Sequence, residues 1–500
     1  MRTLYRASLV RTLGHPPAGD WILIDDRHVQ RVGSGGSPQA DRTVELPGAV
    51  IVPGFIDAHV HLTSTGMGIT SQDVYASRDA GDLLRAVAAR SSGKLIYLNG
   101  WDESKWSDQK LPTLDELDRA AGVPIVLARV DGHVSLANSA ALGESGALAE
   151  DGVEKDAEGN PTGLVVRAAN ERLDRWATGH LDDRAVQDLQ LQAAALAASR
   201  GVTSVHEMSM PQERGLRDLQ VLLDHLARLP VDVTPILGTT DVPQAIDLGL
   251  PAIGGDLPVD GSIGARTAAL SERYEDRDHA GAVNLTDEAL EAFFGSGHAA
   301  GLQVGVHAIG DLAIERVVSA WERVYAALDS RDRRHFRARR HRIEHFELAS
   351  PEVIERAAML GLAASVQPAF DPAWGQPGGL YERALGWERA GAMNPFRTLL
   401  ERALEVGAGS DSPITPLDPM LGIWSLEHHH DPGQRISRAE AVRLWTVGSA
   451  RLAHQDKKGV LEPGMHADLA AYDRDPIAIE DVRGLRPILC VSLGREVYAA

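Results

Sequence analysis

The chain has 500 residues, 44% of them apolar, enough to bury a large core in one big barrel with additions or in two or three domains. Its 50 basic and 70 acidic residues leave a net charge of −20, which argues against nucleic-acid and anionic-membrane partners, since both need clustered Lys and Arg. Cys490 is the single cysteine, excluding an internal disulfide and a thiolate metal cluster; with no apolar run near the ~18 residues of a membrane span and no signal-type stretch after Met1, a cytoplasmic protein is expected.

The first fifty residues alternate short β-like runs, 21–24 and 29–32, with a Gly/Ser turn at 33–36. A continuous apolar run from Ala49 to Ile56 then predicts a buried strand over 51–59, apolar on both faces as parallel barrel strands are. It ends in Asp57-Ala58-His59-Val60-His61, and because residues i and i+2 of a strand share a face, His59 and His61 project together. Residues 62–184 are far too many for one loop, contain strand-like runs at 95–98 and 124–127, and are expected to form an insertion subdomain at the barrel mouth. Two polar clusters within it, Trp101 to Trp106 and Asp131-Gly132-His133, read by position as surface loops. Further barrel strands are expected at 202–206, 231–237, 257–260, 303–307, 342–345, 363–367 and 405–410, with helices such as 183–199 between them. The set makes eight, and 257–260, which contains Pro258, fits least well. Runs at 467–472 and 488–493 end the chain. Residues 1–50 and 458–500 are therefore expected to meet in one small β-sandwich, with 51–457 forming an α/β (β/α)8 barrel.

Three later strands repeat one grammar, an apolar run that delivers a potential ligand into a turn: His307 after 302–306, His345 after 341–344, and Asp411 after 403–410. Functional side chains at the C-terminal ends of several strands mark a (β/α)8 enzyme. Imidazoles with one carboxylate suit Zn²⁺, with Fe²⁺ or Mn²⁺ as alternatives. His59, His61 and His307 are expected to ligate, with Asp411 at the metal. An open position would let the ion lower the pKa of bound water from 15.7 towards about 7, giving a hydroxide that Asp411 orients and deprotonates before protonating the leaving group. His345 is either a ligand to a second ion or a donor that polarises a substrate carbonyl. His206 is a second-tier candidate near the mouth, and the run His428-His429-His430 reads as a solvated loop.

Motifs along nearly the whole chain resemble the amidohydrolase superfamily. Pro53 to His61 resembles its opening motif and Gly459 to Leu469 its closing β-domain signature. Asp260-Gly261-Ser262, His307-Ala308-Ile309-Gly310-Asp311, His341 to His345 and Ser365-Val366-Gln367-Pro368 resemble the branch that contains N-substituted formamide deformylase (amidohydrolase family 3). The resemblance implies a metal-dependent hydrolase of non-peptide, amide- or formamide-type C–N bonds acting on a small molecule. Asp411 and His345 are then catalytic, and Asp260, Arg266, His133 and Trp101 are candidates for substrate contact. A deaminase attacking an amidine carbon is the alternative, and a catalytically inactive binding or regulatory protein is the reading from another class. Many members of the branch carry a carboxylated lysine, bridging two metals, where this chain has Asp256. Aspartate is several bonds shorter and, from the same Cα, would not span that distance, so one ion is expected rather than two, unless Glu207 replaces the bridge. Glu207 itself reads as a loop-capping acid. A homo-oligomeric state is left open.

Overall fold

In the computed structural model, which describes residues 1–90 and 94–500, eight parallel strands form a ring: Phe55–Val60, Val202–Ser209, Asp232–Leu237, Ala252–Ile253, Gln303–Ala308, Arg342–His345, Ala363–Val366 and Glu405–Ala408. The first and eighth meet through a parallel bridge between Val60 and Ser412, with Asp411 N donating to His59 O at 2.8 Å and His61 N to Ser412 O at 3.0 Å. These strands are short and buried on both faces, as Phe55, Ile56, Val304, Val306, Ala364 and Val366 illustrate, which only a barrel jacketed by helices permits. Helix Asp183–Ser199 shows how the jacket forms. The Asp182 side chain accepts from Ala185 N to start it, and its small apolar stripe of Ala193, Ala194, Ala197 and Ala198 packs into the barrel core. The chain is a (β/α)8 barrel.

Two expected strands are placed differently. The run 51–59 is two strands in two sheets, Arg42–Pro53 and Phe55–Val60, split at Gly54. A Cβ on Gly54 would lie 2.2 Å from the Thr203 side chain, so the chain can cross between sheets there only without one. The fourth barrel strand is Ala252–Ile253, not 257–260. Gly254 and Gly255, at φ 86° and 54°, turn the chain inward directly after it, and a Cβ on Gly254 would sit 2.0 Å from Gly305 O. Pro258 has no N–H to add to a ladder, and only an isolated bridge joins it to His307.

Both termini enter one seven-stranded sheet. Arg42–Pro53 lies at its centre, parallel to Arg2–Arg11 and antiparallel to Leu469–Tyr472. Between the first barrel strand and helix Asp183–Ser199, a five-stranded sheet is built from Ile96–Trp101, Ile125–Arg129, Val134–Ala137, Pro161–Val166 and Val153–Lys155, with its own apolar core. Among the described residues no helix is long and apolar enough to cross a membrane.

Lys458 rivets the terminal sheet to the barrel. Its Nζ lies 3.0 Å from both Asp232 Oδ2 and Asp468 Oδ2 and 2.6 Å from Ser204 Oγ, all out of reach of bulk water except for part of Asp232. Lys458→Met would strand Asp468, 4% exposed, without its cation. We expect a loss on the order of 3–5 kcal/mol, the cost of breaking a buried pair from one side. Denaturant unfolding measures it, and a loss within about 0.5 kcal/mol, the size of a neutral surface change, would remove the rivet.

Candidate metal centre

His59 and His61 stand at the end of the first barrel strand, His307 on the fifth and His345 on the sixth, and Asp411 follows the eighth. His345 and Asp411 adopt φ 70° and 55°, left-handed backbone that such residues rarely take and that is tolerated where a site over-determines it. His59 Nε2 and His61 Nε2 lie 3.4 and 3.2 Å from Asp411 Oδ1. Four-coordinate zinc with bonds of 2.0–2.1 Å has ligand-to-ligand edges of roughly 3.3 Å. Both His59 Nε2 and Asp411 Oδ1 are buried without a hydrogen-bond partner among the described residues, as donors awaiting a cation are.

The outer nitrogens fix which way the inner ones face. His59 Nδ1 is 2.9 Å from Glu344 Oε2, His61 Nδ1 is 2.9 Å from Met208 O, and His345 Nδ1 is 2.8 Å from Gln367 Oε1. An acceptor at Nδ1 keeps a proton there and turns Nε2 inward, where it can take a metal once any proton on it has left. Glu344 is itself gripped by Arg342 at 2.8 and 3.0 Å, and Arg342 also donates to Ala58 O. Burial pushes the Glu344 carboxyl up, but Arg342 and His59 outweigh it and hold the group at about 2. Asp57 Oδ1 accepts from Ser410 N at 2.8 Å and from His59 N at 3.2 Å, bracing the first strand against the eighth. Glu344, Gln367 and Asp57 have no role in the sequence analysis, although all three lie within motifs noted there: Glu344 one residue before His345, Gln367 one before Pro368, and Asp57 in the Pro53–His61 segment.

Asp256 stands among the imidazoles in spite of its short side chain. Its Oδ1 lies 3.1 Å from His345 Nε2, 3.2 Å from His307 Nδ1 and 3.7 Å from His59 Nε2, and its Oδ2 lies 3.5 Å from His61 Nε2. Asp256 follows directly on the Gly254-Gly255 turn, at φ 86° and 54°. Donor triads form around His59, His61 and Asp256 on one side and Asp256, His307 and His345 on the other, with His59, His345 and Asp411 between them. His345 therefore faces Asp256. Burial opposes charge throughout, yet Asp411 and Asp256 raise His59 to about 10, and Asp256 raises His307 to about 9. Asp256 is in turn held well below the usual carboxylate range by His59, His307 and His345 against its own burial.

The other sequence candidates scatter. His133 lines the cavity above the donors, its ring 6.0 Å from that of His307. The Asp131-Gly132-His133 segment is thus a cavity wall, not a surface loop. Asp260 is a brace: its carboxylate accepts from Ala269, Ile309 and Gly310 N, fixing the loop beside His307. Arg266 pairs with Asp276 and caps the carbonyls of Ile263 and Gly264, and Trp101 is buried in the insertion core with Nε1 donating to Leu127 O; neither is among the cavity-lining residues. His206 is buried against Arg342, within the barrel. Glu207 Oε2 accepts from Leu62 N at 2.7 Å, capping the helix Leu62–Thr70. Of the histidine run only His428 is exposed; His429 is buried and His430 partly so.

The cavity over the donors measures about 1110 Å³ counted to its open mouth. One wall comes from the insertion, where Arg129 pairs with Glu103 and Asp131, and the facing wall is aromatic, with Phe370, Trp374 and Tyr381. Tyr381 OH donates to Glu347 Oε2 at 2.6 Å, and burial pushes the Glu347 carboxyl up to about 7.

A (β/α)8 barrel with imidazole and carboxylate donors at its C-terminal strand ends defines a class, and comparison with known proteins names it. The chain belongs to the amidohydrolase family, which it matches over residues 42–498. It is 30% identical over 509 residues to YtcJ of Bacillus subtilis strain 168, covering 92% of each chain. It is 24% identical over 502 residues to N-substituted formamide deformylase of Arthrobacter pascens, covering 91% of this chain and 90% of that one. Among solved structures, an uncharacterized metal-dependent hydrolase from Pyrococcus furiosus superposes with a TM-score of 0.75 at 27% identity, over 95% of this chain and 100% of that one.

Two outcomes follow from this geometry. Because neighbouring carboxylates hold protons on His59 and His307, metal uptake by metal-free protein near pH 8 must release protons; calorimetry in two buffers of different ionisation heat reads this as a buffer-dependent enthalpy. Glu344→Gln should weaken metal affinity on the order of 10–100-fold, the usual effect of losing a ligand's outer partner. Equal affinity in a competition titration would show that Glu344 does not set the His59 ring.

Proposed function

We propose that the chain is a metal-dependent hydrolase of non-peptide C–N bonds, of amide or formamide type. The observation that carries this is the pair of orphaned donors, His59 Nε2 and Asp411 Oδ1, at the floor of a cavity sized for a small molecule. The relation to N-substituted formamide deformylase along nearly the whole chain supports the bond type. We further read two cation positions where the sequence favoured one: His59, His61 and Asp411 on one side and His307 and His345 on the other, with Asp256 as the anion between them. Adjacent cations repel unless an anion separates them, and the Asp256 carboxylate is within ligand spacing of four imidazoles. Zinc suits the donors best.

When bound, such an ion supplies Lewis acidity and makes water nucleophilic at neutral pH. The protein's own groups do the rest. Asp411 Oδ1 faces the imidazoles, which leaves Oδ2 to take the proton of the attacking water and pass it to the leaving nitrogen. Burial holds His133 below the ordinary histidine range, so its neutral ring can donate to the substrate carbonyl oxygen as that oxygen gains charge. The aromatic wall of Phe370, Trp374 and Tyr381 covers the substrate's apolar substituent and limits water. Water adds across the bond, giving a carboxylic acid or formate and an amine.

The test is a screen of N-formyl and N-acyl amines with zinc-loaded protein, following carboxylate and amine release. Ammonia release from a heterocyclic amidine without carboxylate would instead support deamination. On any substrate found, Asp411→Asn should lower turnover by about 10²–10⁴, because Asn is nearly isosteric but cannot accept the proton. An undiminished rate at saturation would remove Asp411 from proton transfer.

A further inference from the structure

Away from the catalytic donors, the fold assembles a second set of ligand-type side chains. Asp371 lies on the short helix Phe370–Trp374 after the seventh barrel strand, and His429 and His430 follow helix Pro419–Glu427 beyond the eighth. The Asp371 and His429 side chains are 0% exposed and that of His430 is 12% exposed. His429 Nε2 sits 3.3 Å from Asp371 Oδ1 yet makes no hydrogen bond among the described residues. That distance without hydrogen-bond alignment is the relation of two ligands on one ion, whose edges run at roughly 3.3 Å for four-coordinate zinc. His429 Nδ1 lies 3.2 Å from Asp431 O and 3.0 Å from Asp431 N; with the ring proton on Nδ1 and donated to Asp431 O, Nε2 is the nitrogen that can coordinate. His430 Nδ1 lies against the same Asp371 oxygen, and His430 N donates to the other oxygen at 3.0 Å, fixing the carboxylate plane.

Gly375 shows how closely the chain packs on this cluster. Its φ of −86° is open to any residue, so conformation does not call for glycine. A Cβ there would fall 2.8 Å from Asp371 Oδ1 and 3.2 Å from His430 Nδ1, intruding on the donor cluster itself.

We propose that Asp371, His429 and His430 form an outer site for a divalent transition cation of the zinc type, sharing no ligand with the catalytic centre. One carboxylate and two imidazoles match the preference of such ions, with water completing the shell. Uptake sends the proton between His430 Nδ1 and Asp371 to solvent, and the ring nitrogen turns from donor into ligand. The partial exposure of His430 gives the ion its way in. The bound ion clamps helix Phe370–Trp374, whose two aromatic ends line the substrate cavity, to the segment after the eighth strand. Its role is to hold the cavity wall rather than to activate water.

The experiment uses full-length protein saturated with ZnCl₂, read by anomalous scattering at the zinc edge and by metal content per chain. We expect anomalous density between Asp371 and His429 in the unaltered protein, and one equivalent fewer in Asp371→Asn and in His429→Ala. The outer density should persist in the double variant His59→Ala/His61→Ala, which empties the first cation position of the catalytic centre, so failure of the proposed reaction and failure of this site are read separately. Absence of density at the cluster in the saturated, unaltered protein overturns the proposal whether or not the variants fold, and so does an unchanged zinc content in both outer-site variants. Either result would leave Asp371 as a buried hydrogen-bonding tether.

Discussion

Everything at the mouth of this barrel depends on closing the ring between its first and eighth strands. Asp411 N on His59 O and His61 N on Ser412 O lock two segments that are more than three hundred residues apart in sequence. The side chain of Asp57 adds a third link to Ser410 N. Backbone bonds of this kind set the spacing of His59, His61 and Asp411 before any ion arrives, so the donor edges are properties of the fold. The outward partners Glu344, Met208 O and Gln367 then fix ring orientation. A centre built this way loses little conformational freedom on binding metal, the physical meaning of preorganisation.

The electrostatics of the centre are balanced by placement. His59, His61, His307 and His345 crowd around the carboxylates of Asp256 and Asp411, and burial disfavours charge on the four imidazoles and on Asp256. Without metal the carboxylates hold protons on His59 and His307, so the buried cluster never carries uncompensated negative charge. A bound cation would be neutralised by the same carboxylates. The cluster thus trades protons for cations around fixed anions, which explains how two aspartates can be buried among histidines at no ruinous desolvation cost.

How much of this was legible in the sequence varied with the kind of signal. The HxH pair could be read because strand period places i and i+2 on one face, and the apolar runs before His307 and Asp411 marked them as strand-end residues. The fourth barrel strand could not be read that way. Two residues, Ala252 and Ile253, carry no period, while Val259 and its neighbours offered a more apolar run despite Pro258. Asp256 was judged by the reach of its side chain, when the Gly254-Gly255 pair before it was the informative feature. Trp101 and Arg266 drew attention as chemistry-bearing residues near motifs, but one packs inside the insertion and the other staples its own loop. The cavity wall formed by Asp131 to His133 depends on how the insertion docks, which no local pattern encodes.

That docking separates selection from chemistry. The donors are carried by barrel strand ends and by the loop that Gly254-Gly255 starts, whereas much of the cavity wall is carried by the insertion, with its own sheet and core, and by the segments after the seventh and eighth strands. Both arginines of the wall are paired within the protein: Arg129 lies between Glu103 and Asp131, and Arg214 lies 3.9 Å from Asp174. Glu347 is the instructive member, because burial raises its carboxyl to about 7 while Tyr381 donates to one oxygen. A carboxyl raised in this way can keep its proton, and its second oxygen can then donate as well as accept. Selectivity built from paired charges, an aromatic face and one adaptable carboxyl can change by substitution in the wall while the strand-end donors, braced from behind, stay where the barrel puts them.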